Sequence, residues 1–209
     1  ERVYDLKITG DTILAGGLFT TVGGLPCMGF AMISATSGKK IQALEVNGHV
    51  NTIEQVGDSI YIGGTFGSGG YHVGAFSKIG ISSDFPKDFS RLGLSHESVS
   101  TAIPDGSGGW YIGGAFTSIG GKSNCARILA NGQVDPNFSP NPNSNVYALL
   151  LNNGKLYVGG HFTSIGGATR NRLAEIDPSS GVVKNWNPDL NERVYDLKIT
   201  GDTILAGGL

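Results

Sequence analysis

The sequence predicts an all-β fold built from tandem repeats, and three observations support this prediction. Short apolar runs alternate with turn-forming residues along the chain, in which glycine is the commonest residue, at 34 of 209. A Gly-Gly pair ends an apolar run five times, with its first glycine at positions 16, 63, 113, 159 and 207. The spacings are therefore 47, 50, 46 and 48 residues, and a period in the forties with several short strands is typical of β-propeller blades.

Each repeat is predicted to contain four strands. The fourth repeat shows them best, with strands predicted at residues 146–151, 155–158, 173–176 and 182–186. Glycine lets neighbouring backbones approach closely, and a phenylalanine follows each of the first four glycine pairs to fill the space between blades. The predicted fold is a β-propeller of four-stranded blades, with four repeats of about 48 residues and a duplicated partial fifth.

An exact duplication accompanies the repeat. Residues 1–18 are identical to residues 192–209, whereas residues 3–17 match the second repeat at only 6 of 15 positions. We interpret residues 1–191 as one four-bladed module and residues 192–209 as the start of the next module or as closure strands between subunits. In a closed ring of four blades the two copies would compete for one position, so one copy must lie elsewhere. The predicted inter-module strand residues are Val3, Tyr4, Leu6, Ile8, Val194, Tyr195, Leu197 and Ile199.

The origin of the duplication has three explanations: tandem repetition of a 191-residue module, an overlap shared by neighbouring subunits, or engineering. A ring of eight blades made from two modules is a further alternative. We prefer a ring of four blades because the exact sequence identity recurs after four repeats. If the second copy starts the next module, the modules join head to tail without closing a ring, and contacts of that kind generate filaments.

Composition excludes several classes of function. Only 15% of the residues are charged and the net charge is −2, which gives no electrostatic basis for binding nucleic acid or an anionic membrane. Apolar runs are too short for membrane insertion. The sequence has no Ser-His-Asp order, nucleophile elbow, phosphate-binding loop or metal-ligand spacing. It therefore predicts a protein that is not an enzyme and has no cofactor or metal.

A few residues are candidates for other chemistry. Cys27 and Cys125 are either a candidate inter-module disulfide or two unpaired thiols. Asn137 begins the one Asn-x-Ser/Thr sequence, a candidate glycosylation site. The segments 105–109 and 135–137 lack the acidic spacing of a calcium loop and are predicted to be turns. None of the four histidines, His49, His72, His96 and His161, lies at ligand spacing. His49 and His96 each precede a predicted first strand and are candidates for a role at one rim.

The fourth repeat contains three motifs: Gly-Gly-His-Phe-Thr-Ser-Ile-Gly-Gly at residues 159–167, Arg-Asn-Arg-Leu-Ala at 170–174 and Trp-Asn-Pro at 186–188. These motifs resemble the repeats of the bacterial delta-60 repeat β-propeller proteins, and the resemblance is closest in this repeat. The first two repeats depart from the pattern after their second glycine pair. The resemblance implies a propeller fold and a place in a large secreted or surface-attached bacterial protein, hence an extracellular or cell-surface location. It brings no shared catalytic motif.

Three functions follow as alternatives. The first is a structural or adhesive extracellular protein whose modules join copies of themselves head to tail, as a fibre or a tandem surface array. The second is a carbohydrate- or protein-binding module of a secreted adhesin. Tyr71, Trp110 and Trp186 are candidate contacts for glycans if they are exposed, and packing within the blades is the alternative role for them. The third is a glycan-active enzyme, for which no pair of carboxylates stands out.

Overall fold

The computed structural model describes residues 1–67, 76–80 and 97–209, and every regular element within these ranges is a β-strand. This confirms the all-β prediction. No helix in the described residues is long and apolar enough to span a membrane. The chain divides into two compact units, Glu1–Val99 and Ser100–Leu209, and each is described by itself.

Unit 1 begins with six strands. They are β1 (Arg2–Thr9), β2 (Thr12–Leu18), β3 (Thr21–Val22), β4 (Leu25–Pro26), β5 (Gly29–Ser34) and β6 (Lys40–Glu45). A four-stranded sheet is formed in the order β1-β2-β5-β6, and β3 pairs with β4 as a small ribbon. The second sheet of unit 1 has the order β7-β8-β9, with β7 (Asn47–Val56), β8 (Ser59–Gly67) and β9 (Phe76–Gly80).

Unit 2 repeats the same antiparallel design. The third repeat contributes β10 (Ser98–Pro104), which begins at the end of unit 1, β11 (Trp110–Ala115) and β12 (Cys125–Ile128). The fourth contributes β13 (Val146–Asn152), β14 (Lys155–Gly160), the ribbon strands β15 (Ser164–Ile165) and β16 (Ala168–Thr169), and β17 (Leu173–Ile176). The C-terminal copy of the duplicated segment forms a two-stranded sheet of β18 (Val194–Thr200) and β19 (Thr203–Gly208).

The predicted fourth strand of the fourth repeat, residues 182–186, is wrong. The structure has a single bridge there, between Val183 and Ile176. Backbone bonds from Asp177 N to Val182 O and from Lys184 N to Glu175 O surround this bridge. Beyond it Trp186 packs edge-on to Tyr157, with 5.3 Å between ring centroids, so the ladder does not continue. The one complete four-stranded sheet among the described residues lies in the first repeat, which departs from the family pattern.

The phenylalanines after the glycine pairs are core residues, as predicted. Phe19, Phe66, Phe116 and Phe162 are all buried. Phe66 packs in the core cluster shared by the two sheets of unit 1, and Phe162 packs in a core cluster of unit 2 with Val146 and Ile165. The apolar residues that alternate along the strands therefore build a core between neighbouring sheets.

Candidate assembly surfaces

Neighbouring sheets meet through a recurrent glycine–valine contact. A Cβ atom added to Gly16 would lie 2.7 Å from Cγ1 of Val50 in the next repeat. The corresponding distance is 2.5 Å for Gly113 and Val146. Carbon atoms that are not bonded to each other pack at about 3.5–4.0 Å, so any side chain at these glycines would push the next sheet away. The close approach predicted for the glycines is thus confirmed at Gly16 and Gly113.

Each copy of the duplicated hairpin has two faces. We call the face toward the next repeat the forward face, and the opposite one the rear face. The forward face consists of Asp5, Lys7, Leu14 and Gly16 in the N-terminal copy, and of Asp196, Lys198, Leu205 and Gly207 in the C-terminal copy. The register pairs Asp5 with Gly16 and Lys7 with Leu14. The rear face consists of Val3, Leu6 and Ile8, or of Val194, Leu197 and Ile199.

The N-terminal copy packs by its forward face. Leu14 is fully buried in the cluster that includes Val50 and Ile53. Asp5 Oδ2 accepts a hydrogen bond from the Ile53 backbone N–H at 2.6 Å, and Lys7 Nζ lies 2.7 Å from a carboxylate oxygen of Glu54. The forward face therefore combines apolar burial with two polar contacts to β7.

The rear face of the N-terminal copy is exposed. Val3, Leu6 and Ile8 have exposed fractions of 56%, 57% and 76%. An open cleft of about 310 Å³ lies beside Val3 and continues to Phe19 and other apolar residues of the first repeat. This sheet thus presents an apolar surface of the type that neighbouring repeats bury.

The C-terminal copy packs in the opposite sense. Its rear-face residues Val194 and Leu197 are only 2% and 4% exposed, in a cluster with Ala148 and Tyr157 of the fourth repeat. A Cβ atom on Gly159 would lie 2.8 Å from Cγ1 of Val194, which repeats the glycine–valine contact. In unit 2, the position after the fourth repeat is therefore filled by this hairpin.

The forward face of the C-terminal copy is exposed. Leu205 is 53% exposed, although the identical Leu14 is fully buried. The nearest atom to a Cβ on Gly207 would be the Asp196 carbonyl oxygen at 4.0 Å. Asp196 and Lys198 are exposed, and their charged atoms lie 3.9 Å apart within the hairpin. The two copies thus expose opposite faces of one sequence.

The eight predicted inter-module residues divide between these environments. Val3, Tyr4, Leu6 and Ile8 are exposed, whereas Val194 and Leu197 are buried and Ile199 is half-buried. Tyr195 is partly exposed and packs on Tyr147, with 5.1 Å between ring centroids. Sequence reasoning missed Leu205 and Gly207. The sequence did contain a signal for these two residues. A valine in the first strand recurs with each glycine pair, and this recurrence indicates which strands face each other.

The cysteine thiols lie inside their own units. Cys27 and Cys125 are both 1% exposed, and burial raises the pKa of the Cys125 thiol to about 12. A disulfide to another module would require each thiol to reach a surface. The inter-module disulfide stays a prediction that this burial disfavours.

The remaining candidate residues do not converge on one site. Asn137 is exposed, and its backbone N–H donates to the Asp135 carboxylate in a turn, as predicted for residues 135–137; its glycosylation stays a prediction. Trp110 is buried and Trp186 is partly exposed. His49 and His161 are half-buried, while Tyr71, His72 and His96 lie outside the described residues. Within the described residues, no group of three or more His, Cys, Asp or Glu is placed to hold a metal ion.

Comparison with known proteins supports the architecture. A model of a β-propeller family, described as a domain of unknown function, DUF5122, matches residues 104–138 and 151–183. The chain resembles β-propeller repeat proteins. The two matched segments lie in the third and fourth repeats, where the delta-60 pattern is also clearest, so the resemblance drawn from the sequence is confirmed. A comparison with curated proteins finds no match.

Two solved structures are similar to this chain in fold. One is a crystal structure of the extracellular domain of a B. thetaiotaomicron protein, at 16% sequence identity and a TM-score of 0.62. That match covers 99% of this chain but only 26% of the other, so the chain spans about a quarter of its length. The other is the computationally designed Ika8 protein, at 10% identity and a TM-score of 0.58, with 99% and 68% of the two chains covered. At these identities the similarity concerns the fold alone.

Proposed function

We propose that the chain is a structural module of an extracellular protein in which β-propeller modules join head to tail, with copies of itself as partners. The observation that carries the proposal is the opposite packing of two identical hairpins. One copy is covered on its forward face and the other on its rear face. Each unit thus exposes the face of the hairpin that the other unit buries.

The exposed faces have the properties of an interface. Val3, Leu6 and Ile8 form an apolar row in unit 1, and Leu205 beside Gly207 provides an apolar, closely approachable surface in unit 2. Contacts between different surfaces of successive copies produce open filaments when the rotation does not close. Among the described residues the β19 strand also pairs only with β18, and an exposed edge of this kind favours pairing with another chain. Four-bladed organisation of each module belongs to the same proposal.

An extracellular location is supported by the fold similarity to an extracellular domain and by the resemblance to repeats of secreted bacterial proteins. The low content of charged residues, 15%, is consistent with a structural rather than an electrostatic binding role.

The test is the size of the protein in solution. We expect light scattering and analytical ultracentrifugation to show species that exceed the 21.7 kDa of one chain and grow with concentration. Leu205→Asp should shift the distribution toward single chains, because it places a charge on the exposed forward face. Electron microscopy should show linear particles for the wild type.

The matched control is Val182→Asp. Val182 is also an exposed apolar residue of unit 2, at 60%, but it lies outside both hairpin copies, so its substitution should leave the size distribution unchanged. A single species of one chain at every concentration would contradict the proposal. So would equal assembly by the wild type and Leu205→Asp.

A further inference from the structure

We infer that the C-terminal hairpin of one molecule occupies, in a second molecule, the position that the N-terminal hairpin holds in unit 1. This inference rests on the proposed head-to-tail assembly and specifies its junction. The occupant is a second copy of this chain, joined by exchange of an identical structural element.

Identity of sequence supplies the first argument, because the partners of this hairpin are already known from unit 1. The N-terminal copy pairs β2 with β5 over five residue pairs, from Thr12 with Ser34 to Gly16 with Phe30. It also packs Gly16 against Val50 and Lys7 against Glu54. Residues 192–209 carry the same side chains in the same order. The C-terminal copy can therefore make every one of these contacts in a second molecule.

The packing of the rear face supplies the second argument. In its own unit the C-terminal copy keeps Val194 and Leu197 buried against the fourth repeat. Placed on β5 and β7 of a second molecule, the same hairpin would be covered on both faces. The N-terminal copy in that position is covered on one face only, since Val3, Leu6 and Ile8 remain exposed. Exchange thus completes the burial of the hairpin.

Charge distinguishes exchange from a simpler stacking of one hairpin on another. In a stacked junction, the forward face of the C-terminal copy would lie on the rear face of the N-terminal copy of the next molecule. Lys7 and Glu54 hold equivalent positions in β1 and β7, because Lys7 lies four residues after Val3 and Glu54 lies four residues after Val50, the equivalent valines of the first two repeats. Lys198 would then approach Lys7, a like charge. Exchange instead brings Lys198 to Glu54.

The edge of β19 supports the same choice. In unit 1, β2 has a strand on each side, whereas within the described part of the chain β19 pairs with β18 alone. Stacking by faces makes no use of the backbone N–H and C=O groups along that edge. Exchange pairs them with β5 of the second molecule, which satisfies obligatory hydrogen-bonding groups.

The released N-terminal segment opposes exchange only weakly. The contacts that residues 1–18 lose are the contacts that residues 192–209 gain, because the two sequences are identical. The rear face of the released segment is already exposed. The released backbone also regains conformational entropy, which favours exchange.

Disulfide trapping in the full chain tests the junction. Thr12 pairs with Ser34 in the register of β2 and β5, so exchange places Thr203 beside Ser34 of a second molecule. Directly paired residues of antiparallel strands lie about 4.5–5.5 Å apart at Cα, which suits a disulfide. Oxidation of the variant Thr203→Cys with Ser34→Cys should give a ladder of covalent multimers on a non-reducing gel.

The matched control carries Thr12→Cys with Ser34→Cys: it should give no ladder, and a disulfide within one chain only in molecules that have not exchanged their hairpin. A second pair, Val3→Cys with Gly207→Cys, reports stacking. A ladder from this pair and none from the first would overturn the exchange. A Thr203–Ser34 disulfide confined to single chains, or no disulfide at all, would also overturn it.

Charge reversal gives an independent readout. Lys198→Glu should weaken assembly roughly two- to fivefold under exchange, because it replaces a partly exposed attraction to Glu54 by a repulsion. Under stacking, the same change would strengthen assembly by attraction to Lys7. If the wild type assembles without a Thr203–Ser34 ladder, the junction is wrong and the proposed function stands. If the wild type does not assemble, both fail.

Discussion

At the residue scale, Asp5 and Asp196 show how one position of a repeated sequence takes two roles. Asp5 Oδ2 accepts the Ile53 N–H across the contact between the first two sheets, and burial raises the pKa of its carboxyl group. The side chain of Asp196 is 66% exposed, and it accepts a hydrogen bond from the adjacent Leu197 N–H. Because the residue and its 18-residue context are the same, the difference in burial and hydrogen bonding comes from the neighbouring sheet alone.

This difference gives a matched pair of substitutions. Asp5→Ala should lower the free energy of unfolding by about 1–3 kcal/mol, because the Ile53 N–H loses its acceptor in a partly buried place. Asp196→Ala should change it by no more than about 0.5 kcal/mol, as is usual at an exposed position. Urea denaturation of both variants measures the two values. Equal losses would contradict the role assigned to Asp5.

The substitution Asp5→Asn tests the hydrogen-bond acceptor of this side chain separately from its negative charge. Asparagine retains a carbonyl oxygen for the Ile53 N–H and avoids burial of a carboxylate, so Asp5→Asn should be more stable than Asp5→Ala.

The raised pKa of Asp5 means that the folded state holds its proton more tightly than the unfolded state. The Asp5 contribution to stability therefore increases as the pH falls from neutral through that raised pKa toward the ordinary value of about 4. The stability of the wild type relative to Asp5→Asn should therefore increase over the same range, as measured by unfolding between neutral and acidic pH. A stability difference independent of pH would show that the carboxyl proton is not involved.

At the scale of elements, the sequence predicted the hairpins and the buried phenylalanines because both depend on local pattern. It did not predict the ribbons β3–β4 and β15–β16. The second glycine pair forms their two-residue turns: Gly23 and Gly24 have φ values of 57° and 77°, as a type I′ turn requires. The predicted strand at 182–186 failed for a different reason, since its continuation depends on where Trp186 packs, which local pattern does not reveal.

The turn between β10 and β11 is an element held by one buried carboxylate. Asp105 Oδ1 accepts from the Ser107 and Gly109 backbone N–H groups, each at 2.8 Å, and Oδ2 accepts from Arg127 Nη2 at 2.7 Å. The Asp105 side chain is completely buried. Burial opposes its charge, but Arg127 and the turn amides outweigh that effect and hold the pKa of Asp105 below its usual range. These contacts confirm the predicted turn at residues 105–109.

Asp105→Ala should therefore cost about 3–5 kcal/mol, the usual effect of breaking a buried ion pair. Asp58→Ala is the matched control, because Asp58 is exposed in the corresponding turn of the second repeat; it should cost little. The Asp105 contribution is present above the ordinary carboxyl pKa and is lost as the pH falls through the lowered pKa. The difference between wild type and Asp105→Asn should thus shrink in acid. A loss no greater than that of Asp58→Ala would contradict the assignment.

At the scale of the whole molecule, the repeat and the duplication could be read from the sequence, but the exposed faces could not. Val3 and Val194 are the same residue in the same 18-residue context, and one is exposed while the other is buried. Exposure at these positions is decided by which repeat lies beside the hairpin. No pattern within the hairpin itself carries that information, so the direction of assembly required the structure.

Hydrogen exchange offers a whole-molecule prediction, because identical sequences have nearly identical intrinsic amide exchange rates. In single chains, β2 amides should exchange more slowly than those of β19, since β2 lies between two strands and β19 has only one partner. In assembled protein joined by exchange, β19 should gain protection comparable to that of β2 in the single chain, and residues 1–18 should lose theirs. Residue-resolved NMR exchange on single chains, and mass spectrometry of peptides that extend past Leu18 into Phe19, distinguish the two copies. Unchanged protection of residues 1–18 in filaments would mean that the N-terminal hairpin stays in place, and the junction would then have to be made by faces alone.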